Sequence, residues 1–551
     1  MQTKSERGAE PQPALERLAS LASASLLWLV AFVIFLRHHE YGLWRSDTAV
    51  AMGMFFAAGL VPGLLLAFAP RWLRALTFAL VAIVFMDLQT DWIREPVAAL
   101  VAAASFACLG WFAHHMLGRG TAFVSLVMIA STLPIASGGG WIRTDAPDRT
   151  PSGEARTRDD LPPILHLVLD EHIASAAIPS EFDPGALLRE RIEGEYLARG
   201  FRVFPRAFSR HYTTGPSLSH LVNLSAGRDS LAFYDAEAER ITRNAWFRML
   251  GTRGYRIRVI QTDYLDFCRG DDTDAVESCT TYALESIKAV EDSGLDRADR
   301  TRALLGSFGQ LSHWHQRIRK AYQRWARETG RAETAWPLRA GRLSSVSSHQ
   351  MLPRVEEAFA ATRPGEATFA HLLLPHFPYA YDAQCRLRPS PLAWRSYKAE
   401  GLRGAHNDAT SRAERYRLYL EQLTCTQKQL NEMLERVLAQ PAMRDALVIV
   451  HGDHGVRLNL RAPVVPNLER LTARDYLDAF GTHFAVRGPG IPSGLDPRPA
   501  SLDALLRVIA LQRMIPEADD WIGSRDVHLV GERRDRSVSR EIPWPATAAS
   551  R

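Results

Sequence analysis

The segment VIVHGDHGVR, residues 448–457, joins an apolar run directly to a carboxylate and an imidazole. Its first three residues are β-branched, and a run that is apolar on both faces is typical of a parallel strand covered by helices on each side. Asp453 and His454 follow after His451 and Gly452, and each lies next to a glycine, which lets the backbone turn without side-chain obstruction. The segment therefore predicts a buried strand whose end presents two metal-ligand side chains.

Short apolar runs of the same kind recur after residue 160 and alternate with longer stretches of helical periodicity. The strand candidates are residues 164–169, 202–204, 256–260, 368–374, 446–450 and 483–486. The clearest helix is predicted over about 411–440, where leucines recur at helical spacing. This alternation predicts an α/β sandwich with a mostly parallel central sheet.

Reactive side chains adjoin several of these strands. Asp170 and Glu171 follow the first strand, His376 follows the fourth, and His483 opens the last. Ligands of open α/β sheets collect at the carboxyl ends of the strands. Each residue alone has an ordinary explanation, such as a helix cap for Asp170. Together with the Asp–His pair, however, they predict a site for a hard or borderline divalent cation.

The first 138 residues have a different composition and are predicted to form a transmembrane region. Five apolar stretches, the third of them short, lie near 18–36, 48–69, 72–88, 96–117 and 121–137. A transmembrane helix needs roughly 20 such residues, and a cleaved signal peptide explains only the first stretch. A buried helical bundle is the alternative, but tryptophans near the ends of the stretches favour a membrane.

Positive charge in the short loops predicts the orientation. Arg71 and Arg74 lie between the second and third stretches, and Arg119 lies between the fourth and fifth. The positive-inside rule then places the N-terminus in the cytoplasm and everything after residue 138 outside. Composition divides the remainder into a linker (139–160), a folded α/β domain (161–540) and a disordered tail (541–551).

Charge and cysteine content exclude some classes of protein. Lys+Arg 66 against Asp+Glu 61 gives a net charge of only +5, and no long basic run occurs, so nucleic-acid binding is not expected. The five cysteines form no CxxC pair, which argues against a zinc ribbon. In an oxidising compartment, Cys268–Cys279 and Cys385–Cys425 are candidate disulfides, with four free thiols as the alternative. Cys108 is expected to be a free, buried thiol within a span.

Four segments, LVLDEH, PHFPY, VIVHGDHG and THFAVRGPGIP, resemble in that order the sulfatase branch of the alkaline phosphatase superfamily over residues 160–515. With the preceding apolar stretches, the chain resembles membrane-bound phosphoethanolamine transferases and lipoteichoic acid synthases. The resemblance implies a multi-pass protein of a bacterial-type inner (plasma) membrane whose catalytic domain lies on the periplasmic or extracytoplasmic side. It also implies a divalent metal ion (Zn, Mn, Mg or Ca) and a lipid or envelope glycan as substrate.

The family's nucleophile segment matches HYTTGPSLSHLVNLSAG, residues 211–227. The resemblance implies that Thr214 is the nucleophile, with Thr213 as the neighbouring candidate and an ordinary helix cap as the alternative. The remaining roles implied are metal ligation by Asp170, Glu171, Asp453 and His454, and substrate binding by His376 and His483. Glu171 is either a second ligand or a cap.

The expected activity is transfer or hydrolysis of a phosphate-linked group. No cysteine has the context of the formylglycine signature that sulfatases require. The alternatives are a sulfuric or phosphoric ester hydrolase and a non-catalytic member that binds lipid or a partner.

Overall fold

The computed structural model describes residues 14–89, 95–113, 116–132, 141–145, 160–224, 230–328, 343–389, 394, 408–512, 525–530 and 537–543. The helices are α1 (Ala14–His38), α2 (Ser46–Phe68), α3 (Arg71–Gln89), α4 (Pro96–Phe112), α5 (Leu117–Thr132), α6 (Leu187–Leu197), α7 (Thr214–Val222), α8 (Ala245–Thr252), α9 (Lys288–Glu291), α10 (Arg297–Gln310), α11 (His313–Glu328), α12 (Ser344–Ala361), α13 (Ala409–Leu438), α14 (Ala473–Phe480) and α15 (Leu502–Gln512). The strands are β1 (Ile142–Asp145), β2 (Ile164–Leu169), β3 (Arg202–Val203), β4 (Ala207–Phe208), β5 (Tyr234–Asp235), β6 (Arg240–Ile241), β7 (Arg256–Thr262), β8 (Val276–Tyr282), β9 (Glu366–Leu372), β10 (Leu447–Gly452), β11 (Phe484–Arg487), β12 (Gly494–Leu495), β13 (Ala500–Ser501), β14 (Asp526–Val530) and β15 (Ser537–Glu541).

The chain divides into two compact units. The first comprises Met1–Trp141, Ile287–Gly341 and Pro389–Ala393, and the second comprises Ile142–Ser286, Arg342–Arg388 and Trp394–Arg551. This division differs from the predicted catalytic domain of 161–540, because α9, α10 and α11 belong to the unit that contains the apolar helices. Of the predicted linker, residues 142–145 form strand β1, whereas 146–159 lie outside the described residues, as does the tail after 543.

The prediction of five spans is confirmed only in part. Helices α1 to α5 occupy the predicted stretches, but within the described residues only α1 and α2 are each long and apolar enough to cross a membrane. A third span is possible if α4 and α5, bent by 119°, count as one. The physical reason is length and charge: α4 and α5 have 17 and 16 residues, and α3 carries three charged side chains.

The second unit is built on a nine-stranded sheet with the order β1-β8-β7-β9-β2-β10-β11-β3-β12. The five consecutive strands from β8 to β10 are parallel to their neighbours. Strand β1 pairs antiparallel with β8, and β11 pairs antiparallel with both β10 and β3. Strands β3 and β12 are parallel to each other. The sheet is therefore mixed, with a parallel centre, and most of its pairings are parallel as predicted.

The central strands and α7 share one buried core. All six residues of β2 are buried, as the continuous apolar run predicted. Val168 of β2 and Ile449 of β10 belong to the same cluster as Leu218, Leu221 and Val222 of α7. This packing fixes the first turn of α7 beside the carboxyl ends of β2 and β10.

Both predicted disulfides are present. Cys268 pairs with Cys279, and Cys385 pairs with Cys425. Cys108 is free as expected, but its side chain is exposed rather than buried.

Candidate metal centre

Two parallel strands bring the first two carboxylates together. Leu169 of β2 lies opposite Gly452 of β10, so Asp170 and Asp453 leave the same edge of the sheet. Oδ1 of Asp453 accepts hydrogen bonds from the backbone N–H groups of Glu171 (3.0 Å) and His454 (2.7 Å). These two bonds fix the orientation of the carboxylate, and neither of them uses its other oxygen, Oδ2.

The two glycines around the Asp–His pair have a different role from the one predicted. Neither is among the residues with positive φ, so neither is needed for an unusual turn. Instead, a Cβ on Gly452 would lie 2.6 Å from the His172 carbonyl oxygen, and one on Gly455 would lie 2.2 Å from the Asp478 carbonyl oxygen. Both positions exclude a side chain because neighbouring backbone approaches so closely.

His454 is held as a neutral imidazole. Its Nδ1 lies 2.7 Å from the Gly455 carbonyl oxygen, which can only accept, so Nδ1 carries the proton and donates it. Complete burial, reinforced by the positive charge of Arg457, lowers the pKa of His454 well below its usual value. The Nε2 lone pair therefore faces the carboxylates, 3.3 Å from Asp453 Oδ2 and 3.7 Å from Asp170 Oδ1.

Thr214 is the first residue of α7 and lies against this group. Thr213 precedes it in extended conformation as the N-cap. The Thr214 hydroxyl donates to Asp170 Oδ2 at 3.3 Å, and its oxygen is also 3.3 Å from His454 Nε2. Ser217, one turn further on, donates from its hydroxyl to the backbone carbonyl of Asp453 at 2.5 Å, which ties the start of α7 to the Asp453–His454 segment.

The carboxylates are arranged as a cation site would be. Burial, followed by the charge of Asp453, raises the pKa of Asp170, and burial raises that of Asp453 to about 7. Asp170 Oδ1 and Asp453 Oδ2 have no hydrogen-bond partner within the described residues. Buried carboxylate oxygens without partners are costly unless a cation satisfies them. One ligand atom each from Asp170, Asp453 and His454 lies within 4.8 Å of the others, so these residues fit a divalent cation.

Glu171 and His376 form a second, overlapping group with Asp170, whose ligand atoms also lie within 4.8 Å of one another. His376 Nε2 lies 3.7 Å from Glu171 Oε1, and its Nδ1 donates to the Phe377 carbonyl. Here, however, the guanidinium of Arg457 is hydrogen-bonded to the Glu171 carboxylate. A fixed positive charge thus already lies at this second group.

His483 lies apart from the other predicted site residues. Its buried ring packs at 4.6 Å from the ring of His172 and 4.7 Å from that of Tyr196. None of its described contacts is with the Asp170–Asp453–His454 group. The structure therefore brings Asp170, Glu171, Thr214, His376, Asp453 and His454 together, and leaves His483 outside.

Two residues that support the site were missed in the sequence. Arg457 has positive φ and contacts Glu171, and the Tyr419 hydroxyl donates to the Glu171 carbonyl at 2.8 Å. Ser217, which binds the Asp453 backbone, lies within the matched nucleophile segment. Arg457, three residues after His454, was the most visible signal, because a basic residue so close to a cluster of carboxylates has a ready partner.

Neither a family model nor a curated protein matches the chain. Among solved structures, it is similar to the phosphonate monoester hydrolase SpPMH from Silicibacter pomeroyi, at 14% identity and a TM-score of 0.37, covering 67% of this chain and 80% of that one. It is also similar to the 2-O GAG sulfatase BT1596, at 12% identity and a TM-score of 0.39, covering 69% and 76%. A third is the C-terminal periplasmic domain of EcEptC from Escherichia coli, at 11% identity and a TM-score of 0.34, covering 66% and 82%.

The similar structures thus include sulfatases, a phosphonate monoester hydrolase and the periplasmic domain of EcEptC.

Proposed function

We propose that this chain is a membrane-anchored, metal-dependent enzyme that transfers or hydrolyses a phosphate-linked group on a lipid or envelope glycan, with Thr214 as the nucleophile. The observation that carries the proposal is the position of the Thr214 hydroxyl, 3.3 Å from both Asp170 Oδ2 and His454 Nε2 at the start of a helix. The first N–H groups of a helix have no partner within it and, with the helix dipole, favour an anion such as phosphate.

The chain's own groups suit a displacement at phosphorus. Thr214 Oγ1 forms the new P–O bond as the bond to the leaving oxygen breaks, and its proton passes first to Asp170 Oδ2, which already accepts it. A divalent cation held by Asp170, Asp453 and His454 would supply Lewis-acid stabilisation of the phosphoryl oxygens. Water or an acceptor hydroxyl then releases the group from Thr214.

Two further residues have proposed roles at the edge of the site. His376 is only slightly exposed and its ring borders Glu171, where we place it as a donor to substrate oxygens. Arg457 adds a fixed positive charge that complements the charge gathering on a transferred phosphoryl group. Glu171 then serves as the partner of Arg457 rather than as a metal ligand. His483 is not carried into this proposal.

The membrane location is part of the proposal. Helices α1 and α2 are the anchors, and the multi-pass arrangement with an extracytoplasmic catalytic unit is supported by the loop arginines. Two disulfides in the second unit also suit an oxidising compartment outside the cytoplasm.

Trapping the modified nucleophile tests the proposal. The detergent-purified full chain is incubated with phosphatidylethanolamine or phosphatidylglycerol, and mass spectrometry locates any phosphate-linked adduct. We expect the adduct on Thr214, its loss with turnover in Thr214→Ala, and unchanged metal content in that variant. Thr213→Ala is the matched control and should retain the adduct.

An adduct on Thr213, or full turnover by Thr214→Ala, would refute the assignment of the nucleophile. Hydrolysis of p-nitrophenyl sulfate without activity on either phospholipid would favour the sulfuric ester hydrolase. A chain that binds metal but forms no adduct and turns over no ester would be the non-catalytic member.

A further inference from the structure

Helix α11 presents an exposed apolar stripe. Its sequence is HWHQRIRKAYQRWARE, and Trp314, Ile318 and Trp325, spaced by four and seven residues, lie on one face. Their side chains are 37%, 56% and 43% exposed, and Leu311 just before the helix is 38% exposed. A surface helix of a water-soluble protein packs such a face against the protein core, but here the face is exposed.

The adjoining face of the same helix is strongly basic. Arg317, Lys320 and Arg324 are all exposed, and the helix carries basic residues at 317, 319, 320, 324 and 327 against one acidic residue at 328. The Arg317 guanidinium lies 5.1 Å from the Trp314 ring, so charge and aromatic surface meet along one edge. A largely polar helix that combines a separate apolar stripe with a Lys/Arg-rich face is typical of helices that lie in a membrane interface.

The start of α11 is fixed to the end of an apolar helix within the same unit. Ser312 donates from its hydroxyl to Asp87 Oδ2 at 2.5 Å, and the Trp314 N–H donates to the same oxygen at 3.3 Å. Asp87 is buried and lies in the last turn of α3. Helix α11 therefore begins where α3 ends.

Helix α10, which leads into α11, is fixed to the same end of the helical bundle. Its Phe308 ring packs at 5.4 Å from Phe32 and Phe35 near the end of α1, and at 4.9 Å from Phe55 of α2. On the same helix, Arg300 Nε lies 3.6 Å from Asp47 Oδ2 at the start of α2. The end of α1, the start of α2 and the end of α3 thus meet α10 and α11 at one end of the bundle, as alternating membrane crossings require.

We propose that α11 is an interfacial helix that lies in the headgroup layer of an anionic phospholipid leaflet, on the side where α1 and α3 end. The stripe of Trp314, Ile318 and Trp325 enters the boundary with the acyl chains, and Arg317, Lys320 and Arg324 contact lipid phosphates. Tryptophan favours this layer because it is both apolar and polar-tipped, and basic residues near an anionic surface add to the attraction. The inference rests on the proposed membrane anchoring but not on the proposed chemistry.

Depth measurements on the full chain test this inference. A nitroxide is attached at Ile318→Cys or Lys320→Cys in a Cys108→Ser background, and the protein is reconstituted into nanodiscs of phosphatidylcholine with phosphatidylglycerol. Power saturation compares collisions with oxygen, which concentrates in lipid, and with a water-soluble nickel chelate. Labels at Leu64 on α2 and Glu357 on α12 provide the lipid and water references.

We expect the oxygen-to-nickel ratio at Ile318 to be several-fold above that at Lys320 and to lie between the two references. Nanodiscs of phosphatidylcholine alone should lower the Ile318 ratio, since the basic face loses its partner. A ratio at Ile318 equal to the Glu357 value in both lipids would overturn the proposal. Exclusion of both reagents with spin–spin broadening between labels would overturn it too, because a second copy would then cover the stripe. Thr214→Ala should give the same depths, so failure of the chemistry does not affect this test.

Discussion

Replacing Arg457 by Met should destabilise the metal-free protein and make its stability depend strongly on divalent metal. The side chain of Arg457 is 18% exposed and that of its partner Glu171 only 1%. Its charge also interacts favourably with Asp170 and Asp453, so the variant leaves three carboxylates near one another without this cation. Removing one partner of a buried ion pair costs roughly 3–5 kcal/mol, and the partial exposure of Arg457 places our expectation near the lower end of that range.

Metal should recover much of this loss. A ligand at about 100 times its dissociation constant stabilises a folded protein by roughly 2.7 kcal/mol, and the released Glu171 and His376 give the variant a second place to bind. We therefore expect one metal ion per wild-type chain and up to two per Arg457→Met chain. Thermal unfolding with and without a chelator, together with metal content by mass spectrometry, provides the measurement.

Arg461→Met is the matched control for this experiment. Arg461 lies on the same segment, but its side chain is 29% exposed and its contact with the buried Asp475 is long, at 3.9 Å. Asp475 keeps its hydrogen bonds from Asn459 and Thr472 when Arg461 is replaced, so this variant should lose much less stability than Arg457→Met. The reasoning would be refuted if the Arg457→Met variant and the wild type unfolded at the same temperature in chelator. It would also be refuted if the two proteins bound the same amount of metal at saturating metal.

Three further outcomes are expected. His454→Ala should lose bound metal and turnover together, whereas a variant that binds metal normally would remove His454 from the ligand set. Burial raises the pKa of Asp478 to about 6 from 3.8, so the folded state takes up a proton and the free energy of unfolding rises as pH falls from 8 to 5. Asp478→Asn should lack this gain of about 1 kcal/mol. If the free energy of unfolding of the variant and of the wild type changed equally between pH 8 and 5, this prediction would be contradicted. Cys268→Ser opens a loop with a sequence separation of 11 and should cost about 3 kcal/mol, whereas equal melting of the variant and the oxidised wild type would deny that the disulfide contributes.

The sequence predicted the centre of the sheet well because its strands are apolar on both faces. Strand β2 has the predicted bounds, and β10 differs by one or two residues. The position of Asp170 beside Asp453 followed from the same rule, since parallel neighbours end at one edge. Patterns of this kind depend only on local composition, which a single sequence contains.

Other features depended on tertiary contacts that no local pattern records. The assignment of α10 to the helical unit rests on Phe308 packing against α1 and α2. The direction of Arg457 depends on a positive φ that is uncommon outside glycine. His483 adjoins a strand as predicted, but its ring turns toward His172 instead of the metal group.

Both hydrogen bonds that orient the Asp453 carboxylate come from backbone N–H groups, those of Glu171 and His454. Substituting either side chain by another that keeps the backbone in place leaves both donors intact. The loss of metal affinity in a His454 variant therefore measures the missing imidazole without a reorientation of Asp453, and a Glu171 variant measures in the same way the loss of the partner of Arg457. For mutagenesis, this makes the contributions of the ligands separable.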